Sequence, residues 1–212
     1  MTKIFTGGAA ALMLACATGA AAQTSLPAKW SGLHLGVQGG WAQRSGPAGY
    51  DMSGGLRRVG QGEKRDTLDG QAFAGFDLKG PGRLIVGAEA LAGIGGKTRQ
   101  NLVNGRTNGA TETKWNYAVS ARVGAPVGPK ALVYVRAGYA AEKLHKTYFG
   151  PVILIFPPPQ TSSTGWAGGS LLGLGGELSV HNHLSLRLEY DRRRLDDGYH
   201  GDAVMLGALW RF

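Results

Sequence analysis

The chain alternates. In "WSGLHLGVQGGWA", Leu33, Leu35, Val37 and Trp41 fall on one side, with His34, Gly36, Gln38 and Gly40 on the other. In "KWNYAVSARVG", Trp115, Tyr117, Val119, Ala121 and Val123 oppose Asn116, Ala118, Ser120 and Arg122. "HLSLRLEYD" sets Leu184, Leu186, Leu188 and Tyr190 against Ser185, Arg187 and Glu189. The closing run puts Val204, Leu206, Ala208, Trp210 and Phe212 on one face. A period of two marks a strand whose two faces meet different surroundings. Fainter versions run over residues 70–78, 83–93, 132–140 and 166–178. Eight strands of roughly ten residues are predicted, a length that crosses a bilayer when tilted.

The connections alternate too. Short turns, "KGPG" (79–82), "APVGPK" (125–130) and "SVHN" (179–182), follow strands two, four and six. Long polar loops follow strands one, three, five and seven. This arrangement predicts an all-β fold, an eight-stranded antiparallel up-and-down transmembrane β-barrel, with turns in the periplasm and loops outside the cell.

Cost decides which face meets lipid. One set of faces carries Glu89, Arg122, Arg136, Glu177, Arg187, Glu189 and Arg211, and the opposite faces are nearly free of charge. A one-residue slip would exchange the two. An Arg at mid-membrane on the lipid side costs about 2–4 kcal/mol, so several such errors would cost on the order of 10 kcal/mol, a whole domain's stability. The seven charges therefore point inward. Eight staves enclose a space that side chains fill, so these charges are expected to pair as a polar plug; a gated ion path is the alternative. A soluble barrel with its apolar face inward would need an evenly polar outer face, whereas the opposing residues here are largely Gly, Ala and Ser. Trp30, Trp41, Trp115, Tyr139, Trp166, Tyr190, Trp210 and Phe212 stand near strand ends, where interfacial girdles belong.

Composition agrees with this picture. Charged residues are 17% of the 212, glycines number 36, and the formal net charge is +9. No basic helix or aromatic RNA-binding motif accompanies the charge, so nucleic acid is not an expected partner. "MTKIFTGGAAALMLACATGAAAQ" has a basic start, an apolar middle and a small-residue end, the layout of a secretory signal peptide. Residues 1–22 are read as that signal and 23–212 as the barrel domain. The one cysteine, Cys16, lies within the signal, which leaves the mature chain without disulfides; a lipidated Cys16 is the alternative. His34, His145, His181, His183 and His200 are scattered without ligand spacing, and no phosphate-binding loop is present, so no metal or cofactor is expected.

The stretches "WSGLHLGVQGG", "LIVGAEA", "YVRAGYA", "GWAGGSLLGLGGELSVHNHLSLRLEYD" and "LGALWRF" are similar to the small eight-stranded outer-membrane barrels. That group includes the OmpA transmembrane domain, the opacity proteins and the porin-family outer-membrane immunogenic proteins. The resemblance spans the mature chain apart from its loops. It implies export to the outer membrane of a Gram-negative-type cell. It also implies that Trp210 and terminal Phe212 act as the signal read by the outer-membrane assembly machinery. Arg57, Arg58, Lys64, Arg65, Lys97, Arg99 and Arg106, in basic loops after strands one and three, are candidates for phosphates of lipopolysaccharide or for an unknown surface ligand. "RRR" (192–194) with the following "LDDGYHGD" reads as a solvated ion cluster at the rim. The apolar run Val152 to Phe156, which ends in three prolines, fits an extended hairpin, a cover over the mouth or a partner-binding strip. His183 and Ser185, with Glu189 nearby, resemble the His-x-Ser of lipid A deacylases. They fall at a periplasmic turn and no Asn follows the Ser, so no enzyme is expected. The reading is a structural envelope component and surface antigen, with a narrow channel or an adhesin as alternatives.

Overall fold

The computed structural model describes residues 30–45, 50–51, 57–58, 64–100, 109–149 and 160–212. Eight strands form the wall: β1 (Gly32–Ser45), β2 (Lys64–Lys79), β3 (Ile85–Ile94), β4 (Gly109–Val127), β5 (Ala131–Phe149), β6 (Gln160–Ser179), β7 (Leu184–Leu195) and β8 (His200–Arg211). Lys97–Gln100 continues β3 outward along β4. A two-residue ladder pairs Tyr50–Asp51 with Arg57–Arg58. Each strand pairs antiparallel with its chain neighbour, β3 reaches β4, and β1 pairs with β8 to close the ring. The proposed signal segment 1–22 lies outside the described residues, as do Arg106 and the apolar run Val152 to Phe156.

The register fixes the barrel's geometry. Rungs lead from Ala42 through Ala203, Asp191, Gly173, Arg136, Arg122, Gly87 and Asp77 to Gly32, on β1 again but ten residues from the start. With strands about 4.8 Å apart and about 3.3 Å of rise per residue, that stagger tilts the staves about 41°. The wall is then roughly 8 Å in radius, a bore that long side chains from opposite walls can fill.

The short connections are tight. Between β2 and β3, Gly80 N–H donates to Leu84 O at 2.9 Å, and Gly82 takes a φ of 65° that a side chain would resist. Gly128, at φ 69°, does the same between β4 and β5. The strands are 10 to 20 residues long, which corrects the expectation of roughly ten. β4, β5 and β6 rise well past the apolar band on the outer side. A bulge between Thr113 and Trp115 shifts the β4–β5 register there.

The outer face is apolar: Leu33, Leu35, Val37, Val119, Val135, Leu174, Leu186, Leu188 and Leu206 are all exposed on the wall. On β4 the band runs from Val127 to Trp115, bounded by exposed Lys130 and Lys114. Trp41, Trp115, Tyr117, Tyr139, Trp166 and Tyr190 mark its outer margin, and Trp210 and Phe212 its inner one. Trp30 departs from the predicted girdle. It is 1% exposed and packs with Ile85 and Leu132 as a floor beneath the lumen.

Candidate functional site: the polar lumen

Charged side chains line the bore because inward positions recur every second residue on tilted strands. Near the floor, Arg122 donates from Nε to Asp77 Oδ1 at 2.8 Å and from Nη1 to Glu177 Oε1 at 2.7 Å. Arg211 grips the same two carboxylates, Asp77 at 2.6 Å and Glu177 at 2.7 Å. Arg187 presents its fork to Glu89 at 3.0 and 2.7 Å and also reaches Glu177 at 3.0 Å. Its guanidinium lies over the Phe73 ring, 4.0 Å from the centroid. His34, wholly buried, sits between Asp77 at 3.4 Å and Glu89 at 3.3 Å.

The chain of pairs climbs from there. Arg136 joins Glu89 at 3.0 Å to Glu189 at 2.9 Å and to Asp191 at 3.0 and 2.5 Å. Glu189 also accepts from the Tyr134 hydroxyl at 2.7 Å and from Gln38 Nε2 at 3.3 Å. Arg193 links Asp191, at 3.9 Å, to Glu142, at 3.0 Å. Arg44 carries the chain from Glu142 at 3.0 Å to Asp69 at 2.5 Å near the outer mouth. The alternating cations and anions thus run from Arg211 at the floor to Asp69 without a break.

Burial explains the density of pairing. Taking a charge out of water costs several kcal/mol, and the loss is offset only where opposite charges and hydrogen bonds replace the solvent. Glycine makes the room. A Cβ on Gly75 would fall on the His34 ring, on Gly87 on the Asp77 carboxylate, on Gly173 on Asp191 and on Gly175 on the Tyr134 hydroxyl. Three strands, β2, β3 and β6, thin their inner face where a neighbour's long side chain must pass. Among the described residues, no group of His, Cys, Asp and Glu is arranged to hold a metal ion.

A sheet that closes on itself, with lipid-facing side chains outside and ion pairs within, is the architecture of an outer-membrane barrel. Residues 8–212 match the family described as "Outer membrane protein beta-barrel domain". The chain belongs to this family. Its place is the outer membrane of a Gram-negative cell. The chain is similar in fold to the attachment invasion locus protein Ail of Yersinia pestis, with 17% identity over 86% of this chain and 99% of that one and a TM-score of 0.48. Neisserial surface protein A is 13% identical over 86% and 98%, with a TM-score of 0.49. OprG of Pseudomonas aeruginosa is 11% identical over 86% and 97%, with a TM-score of 0.49. No curated protein matches the chain.

In this outer-membrane barrel, Glu89, Arg122, Arg136, Glu177, Arg187, Glu189 and Arg211 all lie buried in the lumen and in one network. His34, Arg44, Asp69, Asp77, Glu142, Asp191 and Arg193 belong to it as well and were not in the sequence-derived set. Strict alternation carries the signal for Asp77, two residues past Gly75 on the inner face of β2. Arg193 corrects the reading of "RRR" as wholly solvated. It turns inward, 4% exposed, while Arg192 stays outside near Asp202. Trp210 and Phe212 face outward at the margin beside the short turns. The side chains of Arg57, Arg58, Lys64, Arg65, Lys97 and Arg99 lie outside the described residues, as does the whole of Arg106. His183 and Ser185 are not brought together as a catalytic pair. The imidazole stacks on Trp210 at 5.4 Å and its Nδ1 lies 2.9 Å from Arg211 O, whereas Ser185 is buried inside.

Proposed function

We propose that this outer-membrane barrel is a structural envelope component and surface antigen whose lumen is plugged by its own side chains. The observation that carries the reading is the unbroken ionic chain from Arg211 to Asp69, seated on the Trp30, Ile85 and Leu132 floor. An ion entering such a bore would have to displace bidentate guanidinium–carboxylate pairs from several walls at once. Residues 1–22 act in this reading as the export signal, and Trp210 with Phe212 as the mark recognised by the assembly machinery. The basic loop residues Arg57, Arg58, Lys64, Arg65, Lys97, Arg99 and Arg106 meet lipopolysaccharide phosphates or a surface ligand; the formal charge of +9 supports that role.

Reconstitution of the mature protein in planar bilayers tests the plug. The expected record is a flat baseline for the wild type and for Arg122→Ala, with the variant less resistant to urea. Discrete conductance steps from the wild type would turn the reading towards a channel. Incubation with lipopolysaccharide, followed by mass analysis of lipid A, is expected to leave every acyl chain in place.

A further inference from the structure

The two rims of the barrel carry charge differently. On the long-loop side cations and acids are mixed. Exposed Lys114, Arg192 and Arg194 stand among the carboxylates of Asp66, Asp196 and Asp202, and Arg192 Nε lies 3.9 Å from Asp202. On the other side three tight turns, residues 80–84, 128–130 and 180–183, link the strands. Lys79, Arg83 and Lys130 are exposed there, and among the described residues no exposed Asp or Glu accompanies them. The sequence itself has no acid from Leu78 to Ala88, from Val123 to Ala141 or from Leu178 to Leu188. The nearest acids, Asp77 and Glu177, are 0% and 2% exposed, and Arg122 and Arg211 hold both of them inside.

The height of these cations identifies what they meet. Lys79 follows lipid-facing Leu78, Arg83 precedes Leu84 and Val86, and Lys130 lies just beyond Val127, all of them apolar side chains exposed on the wall. Trp210 and Phe212 mark the same margin, where Trp210 stacks on His183 with ring centroids 5.4 Å apart. A rise of about 3.3 Å per residue on tilted staves keeps these cations within the headgroup layer, about 5–8 Å deep on each side of the hydrocarbon. The turns are too short to carry them past it, so they reach lipid headgroups and not a protein beyond the membrane. Long Lys and Arg stems lie along apolar surface while their charged ends meet phosphate. Outer-membrane barrels keep their short turns on the periplasmic side, and the leaflet there is phospholipid.

We propose that the short-turn rim of Lys79, Arg83 and Lys130 gathers anionic phospholipid, whose phosphodiester charge no headgroup ammonium offsets. A zwitterionic lipid brings the same phosphate with a cation beside it, and a rim without acids has nothing to receive that cation. Each basic residue near an anionic lipid surface adds about fivefold to association. The site is independent of whether the lumen conducts and of any ligand held by the long loops.

The test uses the full barrel in phosphatidylcholine bilayers with spin-labelled phosphatidylglycerol or phosphatidylcholine of matched chains. The motionally restricted fraction of each label gives its association with the barrel. At low salt the phosphatidylglycerol label is expected to associate about fivefold or more tightly, and the difference is expected to shrink at about 1 M salt. Lys79→Gln, Arg83→Gln and Lys130→Gln together are expected to bring the two labels within about twofold, with heat-modifiable gel mobility retained. Lys114→Gln with Arg194→Gln, on the opposite rim, is expected to keep the preference. Soluble glycerol phosphate at millimolar concentration is expected to leave it unchanged. No preference in the wild type, the same preference in the triple variant, or its loss from the opposite-rim pair would overturn the site. Full competition by glycerol phosphate would replace lipid with free phosphate as the occupant and overturn it as well. If the triple variant does not fold, Arg83→Gln with Lys130→Gln decides, and it is expected to lose most of the preference.

Discussion

At the scale of single residues, the lumen is built by pairing long side chains with absent ones. Glu89 receives Arg136 and Arg187 and lies beside His34. Glu89→Leu would leave two buried guanidiniums short of a partner, at a cost of about 3–5 kcal/mol. Urea titration in liposomes, read by the gel mobility of folded and unfolded bands, is expected to show that loss. Glycine gives a matched contrast. Gly87→Ala sets a methyl against Asp77, a partner of Arg122, and is expected to cost about 1–3 kcal/mol. Gly70→Ala meets nothing within 4 Å and is expected to leave the urea midpoint unchanged or slightly raised. The sequence displays 36 glycines without saying what they make room for. Their purpose is visible only where another strand's side chain crosses the bore, because that contact depends on stagger.

At the scale of the strand, alternation is legible wherever one face meets lipid and the other meets charge. That contrast is why the register of β7 can be read from Leu184 to Tyr190. Leu186→Arg, exposed to hydrocarbon at the middle of that run, is expected to lower stability by about 2–4 kcal/mol, while Ser185, one residue away, faces the interior. The urea midpoint checks it. Beyond the membrane both faces of a strand meet water and the contrast disappears. The upper parts of β4, β5 and β6 are therefore silent in the pattern, and Glu142 and Arg193 escaped notice because they lie where the apolar partner face is giving out. Trp30 misleads for a related reason. A tryptophan just before a strand fits a girdle equally well, and only the inward turn of the chain at Gly32, with φ 116°, distinguishes the floor from the interface. Trp30→Ala is expected to reduce resistance to urea by about 3–5 kcal/mol, as for a buried aromatic, without shifting the mobility of the folded band.

At the scale of the whole molecule, the ten-residue stagger connects parts that no single segment contains. The rung that leaves β1 at Ala42 passes Asp191, Arg136, Arg122 and Asp77 before it regains β1 at Gly32. Arg211, on the last strand, holds Asp77 of the second and Glu177 of the sixth. Until the two ends of the chain have met, those acids lack one of their guanidinium partners. A partly inserted sheet would carry an incompletely matched set of charges into oil, so the bilayer itself acts as a checkpoint that favours the finished cylinder. Zipping the final seam and cancelling the inner charge are then one step. Arg211→Ala should slow the passage into liposomes more than a change of equal cost high on β5.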